Sequence, residues 1–414
     1  MNLLILGDRA QTGFGRVTNE LGQRFLAAGA SVRILAVNWR GRDGEALGLI
    51  QRGATGAELA AHLDAFDADP LNALSISAGR HGDLFGHNML APALLGDLWN
   101  GWKPDRILVV ADPQALGERL LRSDGLGEVP TYNYVPIEGT GLPPCWDVLW
   151  ERVTPVAMSE FGRTQLERLL GRPVAAIPHG VSDAFYPVSP ERPGDGITSK
   201  DGAKAALGLT GHLVLFRADR FVPRKNYPAL FRSVAPVLAE HPEAMLFLHC
   251  APLDEGGAMA SLVSRLPGAF ETNGTWRHPQ VRITGGHDTF RGLPDVALNV
   301  LYNAADIYVS PTQAEGFGLT LAEAASAAVP VVTTDFAAGP EVVGPGALLV
   351  PPSALFTNVY GFEWAAASEP LFTDAVRQLA DHPTSRTEIG AAGARHIARY
   401  SWDRAAADFL ELMT

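Results

Sequence analysis

Glu315 and Glu323 stand eight positions apart in "SPTQAEGFGLTLAEAASAAVPVV", a run from Ser310 to Val332 that is otherwise apolar and rich in glycine and small residues. An ionised carboxylate in such surroundings is costly unless something pairs with it. "DIYVSP" reads as a buried strand and "LTLAEAASAA" as a helix, so "EGFG" is the turn between them. Gly316 and Gly318 let backbone approach a ligand closely. Free N–H groups and the helix dipole make that helix start an anion site. Glu323 has a purely structural reading, because Thr320 and Glu323 have the spacing of a capping box. Glu315 has none, and a carboxylate just ahead of a phosphate site suits hydroxyl groups, which donate to it.

The second cluster is cationic. In "LFRADRFVPRKNYPALFRSV", Arg217, Arg220, Arg224 and Lys225 follow a strand in a chain with 33 Lys+Arg against 45 Asp+Glu. For Arg217 and Arg224 the expectation is incidental charge on a solvated loop. Fixed cations here would suit a leaving diphosphate, which can be stabilised without a general acid.

The first third of the chain carries "GDRAQTGFGRVTNEL" between a strand and a helix expected over Val17–Gly29. Gly13 and Gly15 fit the start of a dinucleotide fingerprint, but Thr18 stands where its third glycine would be. A nicotinamide site is therefore disfavoured, and an ordinary tight turn would also account for Phe14. Asp112, before Pro113, has the form of a helix N-cap. Glu138 in "YNYVPIEGTGLPP" ends the next strand and is an acceptor-side candidate. His179 in "AAIPHGV" reads as a hydrogen-bonded hinge histidine.

These residues need a scaffold that brings strand ends together. Short apolar runs ("LLIL", "SVRILAV", "RILVVA", "TYNYVPI", "PVAMS", "VAAIP", then "LVLFRA", "MLFLHC", "VRIT", "IYVSP", "VPVVTT") mostly alternate with helix-length segments. That rhythm implies parallel sheets covered on both faces, with ligands beyond the carboxyl ends of the strands. The stretch from Ile177 to Gly202, rich in Pro, Gly and charge, separates two such series. The expected domains are 1–180, 181–396 and a terminal helix over 397–414.

The chain's 414 residues are enough for two cores, with 47% hydrophobic and 19% charged residues. A net charge of −12 argues against a general affinity for nucleic acid or anionic membrane. Cys145 and Cys250 are the only cysteines, which excludes a disulfide framework and fits a reducing cytoplasm. The first apolar stretch is too short for a signal peptide, and no run approaches the ~18 apolar residues of a membrane span. No membrane insertion is expected.

"EGFGLTLAEA" resembles the E-x7-E signature of the retaining, GT-B fold glycosyltransferases of family 4. The resemblance covers nearly the whole chain, sharply from Arg217 to Glu341 and loosely before residue 130. It implies an α/β fold of two Rossmann-like, doubly wound parallel-sheet domains facing across a cleft. It gives Glu315 the donor sugar's hydroxyls and Glu323 the ribose. Gly316, Phe317, Gly318 and Leu319 take the phosphates, and Arg220 and Lys225 neutralise the diphosphate. Thr12, Gly13, Phe14 and Gly15 approach from the opposite domain, with Phe14 and Glu138 on the acceptor side. Asp112 stands near where related enzymes often carry a histidine that contacts the donor sugar. The sequence departs from the family there, and Asp112 is counted with Glu315, Arg220 and Lys225 as a catalytic candidate, while Glu341 is taken as structural. The terminal "YSWDRAAADFLEL" matches the helix that crosses back to the first domain.

The implied activity is retaining hexosyl transfer from a nucleotide sugar, UDP-linked in the first instance, to an acceptor hydroxyl, with no cofactor or metal. The acceptor is a small molecule, a glycan or, through similarity to phage-type enzymes, a hydroxymethylated DNA base. A nucleotide-sugar epimerase, a phosphorylase and a non-catalytic sugar-nucleotide binder are the other readings. The phosphorylase lacks a segment suggesting a pyridoxal lysine.

Overall fold

The computed structural model describes residues 1–9, 12–37, 71, 75–77, 101–122, 128–284 and 292–414. The first half is built from β1 (Asn2–Asp8), α1 (Gly13–Ala27), β2 (Ser31–Val37), β3 (Ser75–Ser77), β4 (Arg106–Val110), α2 (Pro113–Arg122), β5 (Thr131–Val135), β6 (Thr154–Ala157), α3 (Glu160–Leu170) and β7 (Ala175–Ala176). Its strands form one parallel sheet in the order β3-β2-β1-β4-β5-β6-β7. Leu3, Leu4 and Ile5 in β1 are buried as a continuous run, as a strand covered on both faces must be.

The second half contains α4 (Lys200–Ala206), β8 (Leu213–Ala218), α5 (Tyr227–Glu240), β9 (Ala244–His249), β10 (Val281–Ile283), α6 (Asp295–Ala304), β11 (Ile307–Ser310), α7 (Leu319–Ser326), β12 (Val331–Thr334), α8 (Gly339–Val343) and β13 (Ala347–Val350). These strands make a second parallel sheet, β10-β9-β8-β11-β12-β13. A hairpin of β14 (Ala354–Thr357) and β15 (Glu363–Ala366) follows, then α9 (Glu369–Asp381), α10 (Pro383–Ile397) and α11 (Trp402–Met413).

In both sheets the strand order reverses beside the first strand, between β1 and β4 and between β8 and β11. A crevice opens at the carboxyl ends at such a point. Asp8 and Asp112 end the strands at one crevice, with Glu138 just beyond β5. Asp219 and Lys225 follow β8, and Glu315 follows β11, at the other. Helix α1 begins at Gly13 rather than at the expected Val17, because Thr12 caps it by accepting from the Gly15 N–H. Gly13, Phe14 and Gly15 are thus its first turn.

The chain passes between the halves twice at one narrow place. The Val181 N–H donates to the Tyr400 carbonyl at 3.2 Å, and a Cβ on Gly180 would lie 2.1 Å from the Trp402 nitrogen. Beyond that crossing, α11 lies on the first half. Phe409 packs edge-on against Phe25 and Tyr134, at 6.3 and 4.8 Å between ring centroids. One apolar cluster runs from these rings through Trp402 to Phe317 and Leu321 in the second half. Among the described residues no helix is long and apolar enough to cross a membrane.

Candidate active site

A cavity of about 860 Å³ separates the two sets of strand ends. From the first half it is lined by Thr12, Gly13, Phe14, Arg16, Asp112 and Glu138, among others. The second half contributes Arg220, Lys225, Glu315, Gly316, Phe317, Gly318, Leu319 and Glu323. Of the residues singled out for donor or acceptor work, Gly15 alone is not on this wall; it is buried within the first turn of α1.

Glu315 is buried, and its charge is answered from its own half. Lys225 Nζ lies 2.7 Å from Oε1 and Arg224 Nη1 lies 3.0 Å from Oε2, while the Thr312 hydroxyl donates to Oε1 at 2.8 Å. Burial alone would raise this carboxyl's pKa, but Lys225 and Arg224 override it and hold it at about 2. The chain of charges continues on both sides. Asp219 takes Lys225 at 2.7 Å and Arg217 at 3.1 Å, and Arg224 also reaches across the cleft to Glu138 at 3.0 Å. Burial raises the pKa of Glu138 against the opposing pull of Arg224.

Two expectations fail here. Arg217 is fully buried, with its guanidinium over the Tyr227 ring, and Arg224 ties the halves together; neither is incidental loop charge. Arg224 was missed because Glu138 and Glu315 are far off in sequence and only the sheet order brings them near. Arg217 was missed because it lies inside β8 beside Asp219, not on the loop after it. Arg220 is held away from the other cations by Asp254 and Glu255, at 2.9 and 3.0 Å, and keeps 41% of its side chain exposed.

Glu323 differs. No capping box forms, because Gly318 (φ 97°) occupies the N-cap of α7 and the Thr320 hydroxyl donates to Asp219 at 3.1 Å. Glu323 instead pairs with Arg16 of α1 and accepts from the Tyr302 hydroxyl at 2.7 Å. Its pKa is raised, since burial outweighs the pull of Arg16 and the Tyr302 hydrogen bond. Gly316 is required by packing, because a Cβ there would lie 2.4 Å from Pro136 of the opposite half. The Phe317 ring is buried against His179 and Tyr400, at 4.8 and 5.4 Å. At this turn, backbone and not these side chains is what remains for a ligand.

Asp112 does what an N-cap does, accepting the Ala115 N–H at 2.8 Å. His179 sits among Tyr134, Phe317 and Trp402, hydrogen-bonded to the Tyr134 hydroxyl at 2.7 Å. Burial pushes its pKa down to about 3, so the ring is neutral. Glu341 receives the Glu160 and Phe161 N–H groups at the start of α3, both at 2.9 Å, a structural role.

Residues 213–361 match a family model described as Glycosyl transferases group 1. The matched segment contains Arg220, Lys225, Glu315 and Glu323. A D-inositol 3-phosphate glycosyltransferase of Streptomyces coelicolor is 29% identical over 58% of the chain and 50% of its own length. A GDP-mannose-dependent monoacylated alpha-(1-6)-phosphatidylinositol monomannoside mannosyltransferase of Corynebacterium glutamicum is 29% identical over 55% and 52%. The chain thus spans about half the length of these curated relatives. The crystal structure of Anabaena Alr3699/HepE in complex with UDP and glucose superposes with a TM-score of 0.66 at 16% identity, covering 100% of this chain and 99% of that one. The architecture is GT-B.

Proposed function

We propose that the protein is a retaining hexosyltransferase of family 4 type, moving a sugar from a nucleoside diphosphate to an acceptor hydroxyl. Glu315 carries the reading. It is an ionised carboxylate at the end of β11, fixed by Lys225 and Arg224 on the wall of a ligand-sized cleft. In this reading Glu315 accepts hydrogen bonds from the donor's hydroxyls and Glu323 from its ribose. Arg220, Lys225 and the N-terminus of α7 meet the diphosphate as its bond to the sugar breaks. The departing phosphate oxygen takes the acceptor proton on the same face, so retention needs no protein nucleophile. These fixed cations take the place a metal would otherwise fill.

The curated relatives include a mannosyltransferase named for GDP-mannose, while the structural neighbour holds UDP, so both nucleotides belong in the test. For the acceptor, a small hydroxylated molecule or a glycan suits the first-half wall better than DNA does. Among the described lining residues of that half, Asp8, Glu20, Asp112 and Glu138 stand against one arginine, Arg16. A phosphate backbone would need the opposite balance.

The protein is incubated with UDP- and GDP-sugars with and without a chelator, and nucleotide release is followed. Product anomers on sugar alcohols and on hydroxymethylated DNA are read by NMR. Chelator-resistant release and an unchanged anomeric configuration are expected. Silence with every donor, or an inverted product, rejects the proposal.

A further inference from the structure

Arg16 is the one strong cation that the first half sends into the cleft among the described lining residues, and both of its contacts are carboxylates of the second half. Nη1 pairs with Glu323, and Nη2 lies 2.6 Å from Asp295 at the start of α6. The guanidinium also lies 5.3 Å from the Phe185 ring centroid. Arg16 sits in the first turn of α1, where the helix dipole disfavours a cation, so something must hold it there. The two carboxylates are not equivalent. Asp295 keeps 29% of its side chain exposed, whereas Glu323 keeps 3%.

With Arg16 in place Glu323 has its cation, its tyrosine hydroxyl and almost no open surface. A ribose cannot lay two hydroxyls on a carboxylate so covered. We propose that Arg16 is a gate on the donor site: it masks Glu323 in the arrangement seen here and moves fully onto Asp295 when a nucleotide enters. This rests on Glu323 being the ribose ligand. Asp295 makes the exchange feasible, because Arg16 keeps one ion pair throughout instead of becoming a bare buried charge. Since Arg16 belongs to the opposite half, the exchange also loosens a contact across the cleft. Donor binding and the spacing of the two halves are thereby coupled. Arg16 is a positioning residue here; the reacting atoms are not its partners.

The test is calorimetric titration of UDP and of GDP into the wild-type protein, Arg16→Ala, Arg16→Lys and Glu323→Gln, with thermal melts to confirm folding. Arg16→Ala is expected to bind the preferred nucleotide about tenfold tighter, the ratio for one charge-assisted hydrogen bond no longer given up on binding. Its donor KM should fall in step while kcat stays within about twofold, as for a change confined to binding. Arg16→Lys keeps the charge but cannot fork onto two carboxylates, so it should bind about threefold tighter and serves if the alanine variant does not fold. Unchanged or weaker binding by the folded Arg16 variants overturns the gate. Unchanged binding by Glu323→Gln overturns the ribose assignment instead, as does an absence of heat with both nucleotides on every variant.

Discussion

Glu315 and Glu323 open and close one short stretch, and both are almost wholly buried, yet they are held in opposite ways. Glu315 has two cations and a hydroxyl, all from its own half, and its pKa is driven down. Glu323 has one cation, borrowed from the opposite half, and its pKa is raised. Burial penalises both charges alike. The number and ownership of the cations decide the outcome, so one carboxylate is a fixed part of the second half and the other is part of the contact between halves.

The largest effect expected is at the fixed end. Glu315→Gln leaves Lys225 and Arg224 without their shared carboxylate, so it should cost about 3 kcal/mol in urea denaturation. The protein should still fold, with nucleotide-sugar turnover down about 10³-fold. Parental turnover in this variant would break the comparison at its root. His179 tests the contact between halves. Its folded pKa, about 3, lies below the unfolded value near 6.5, so its contribution is complete above pH 6.5 and is lost as pH falls towards 3. His179→Gln should flatten that loss by up to about 1.4 kcal/mol per pH unit, measured as the difference between the two proteins' unfolding curves.

Glu323→Gln should weaken nucleotide binding about tenfold while changing stability at neutral pH by about 1 kcal/mol or less, since the charge removed is one that burial disfavours. The two glutamates should also respond oppositely to acid. Stability from Glu315 is present above pH ~4.5 and lost as pH falls towards 2. The raised pKa of Glu323 means that its charge costs stability at neutral pH, a cost relieved as pH falls through its folded pKa. Denaturation at several pH values on each Gln variant separates these slopes, and parallel slopes would erase the distinction. The smallest effect is at Asp112. Asn caps a helix as well as Asp, so Asp112→Asn should leave stability within about 0.5 kcal/mol. Reduced turnover in this variant would give Asp112 a role beyond the cap.

The parallel sheets were legible because buried strands and helices differ in period along the chain. Glu315 and the glycine turn were legible because they adjoin in sequence, and Lys225, 90 positions earlier, because its own motif follows a strand on the same side of the cleft. Arg224 was misread because a loop's charges look alike until the sheet order places Glu315 and Glu138 around one of them, and Arg217 because its place in the buried end of β8 is not marked by its type. Arg16 was missed outright, since its partner Glu323 lies 307 positions later. One signal was available: an arginine in the first turn of a helix that has no acidic residue there is electrostatically misplaced unless a distant carboxylate receives it. The capping box failed for a related reason. Gly318 took the cap, and tertiary partners claimed both Thr320 and Glu323.

The narrow crossing at Val181 and Tyr400 bears on how the protein is made. Everything between those two residues leaves the ribosome after the first sheet and before the helix that covers it. Until Trp402 to Met413 emerges, Phe25 and Tyr134 have no Phe409 against them, and the first half waits with a bare apolar face while the whole second half is synthesised. Helix α11 therefore finishes a sheet whose strands were made long before it.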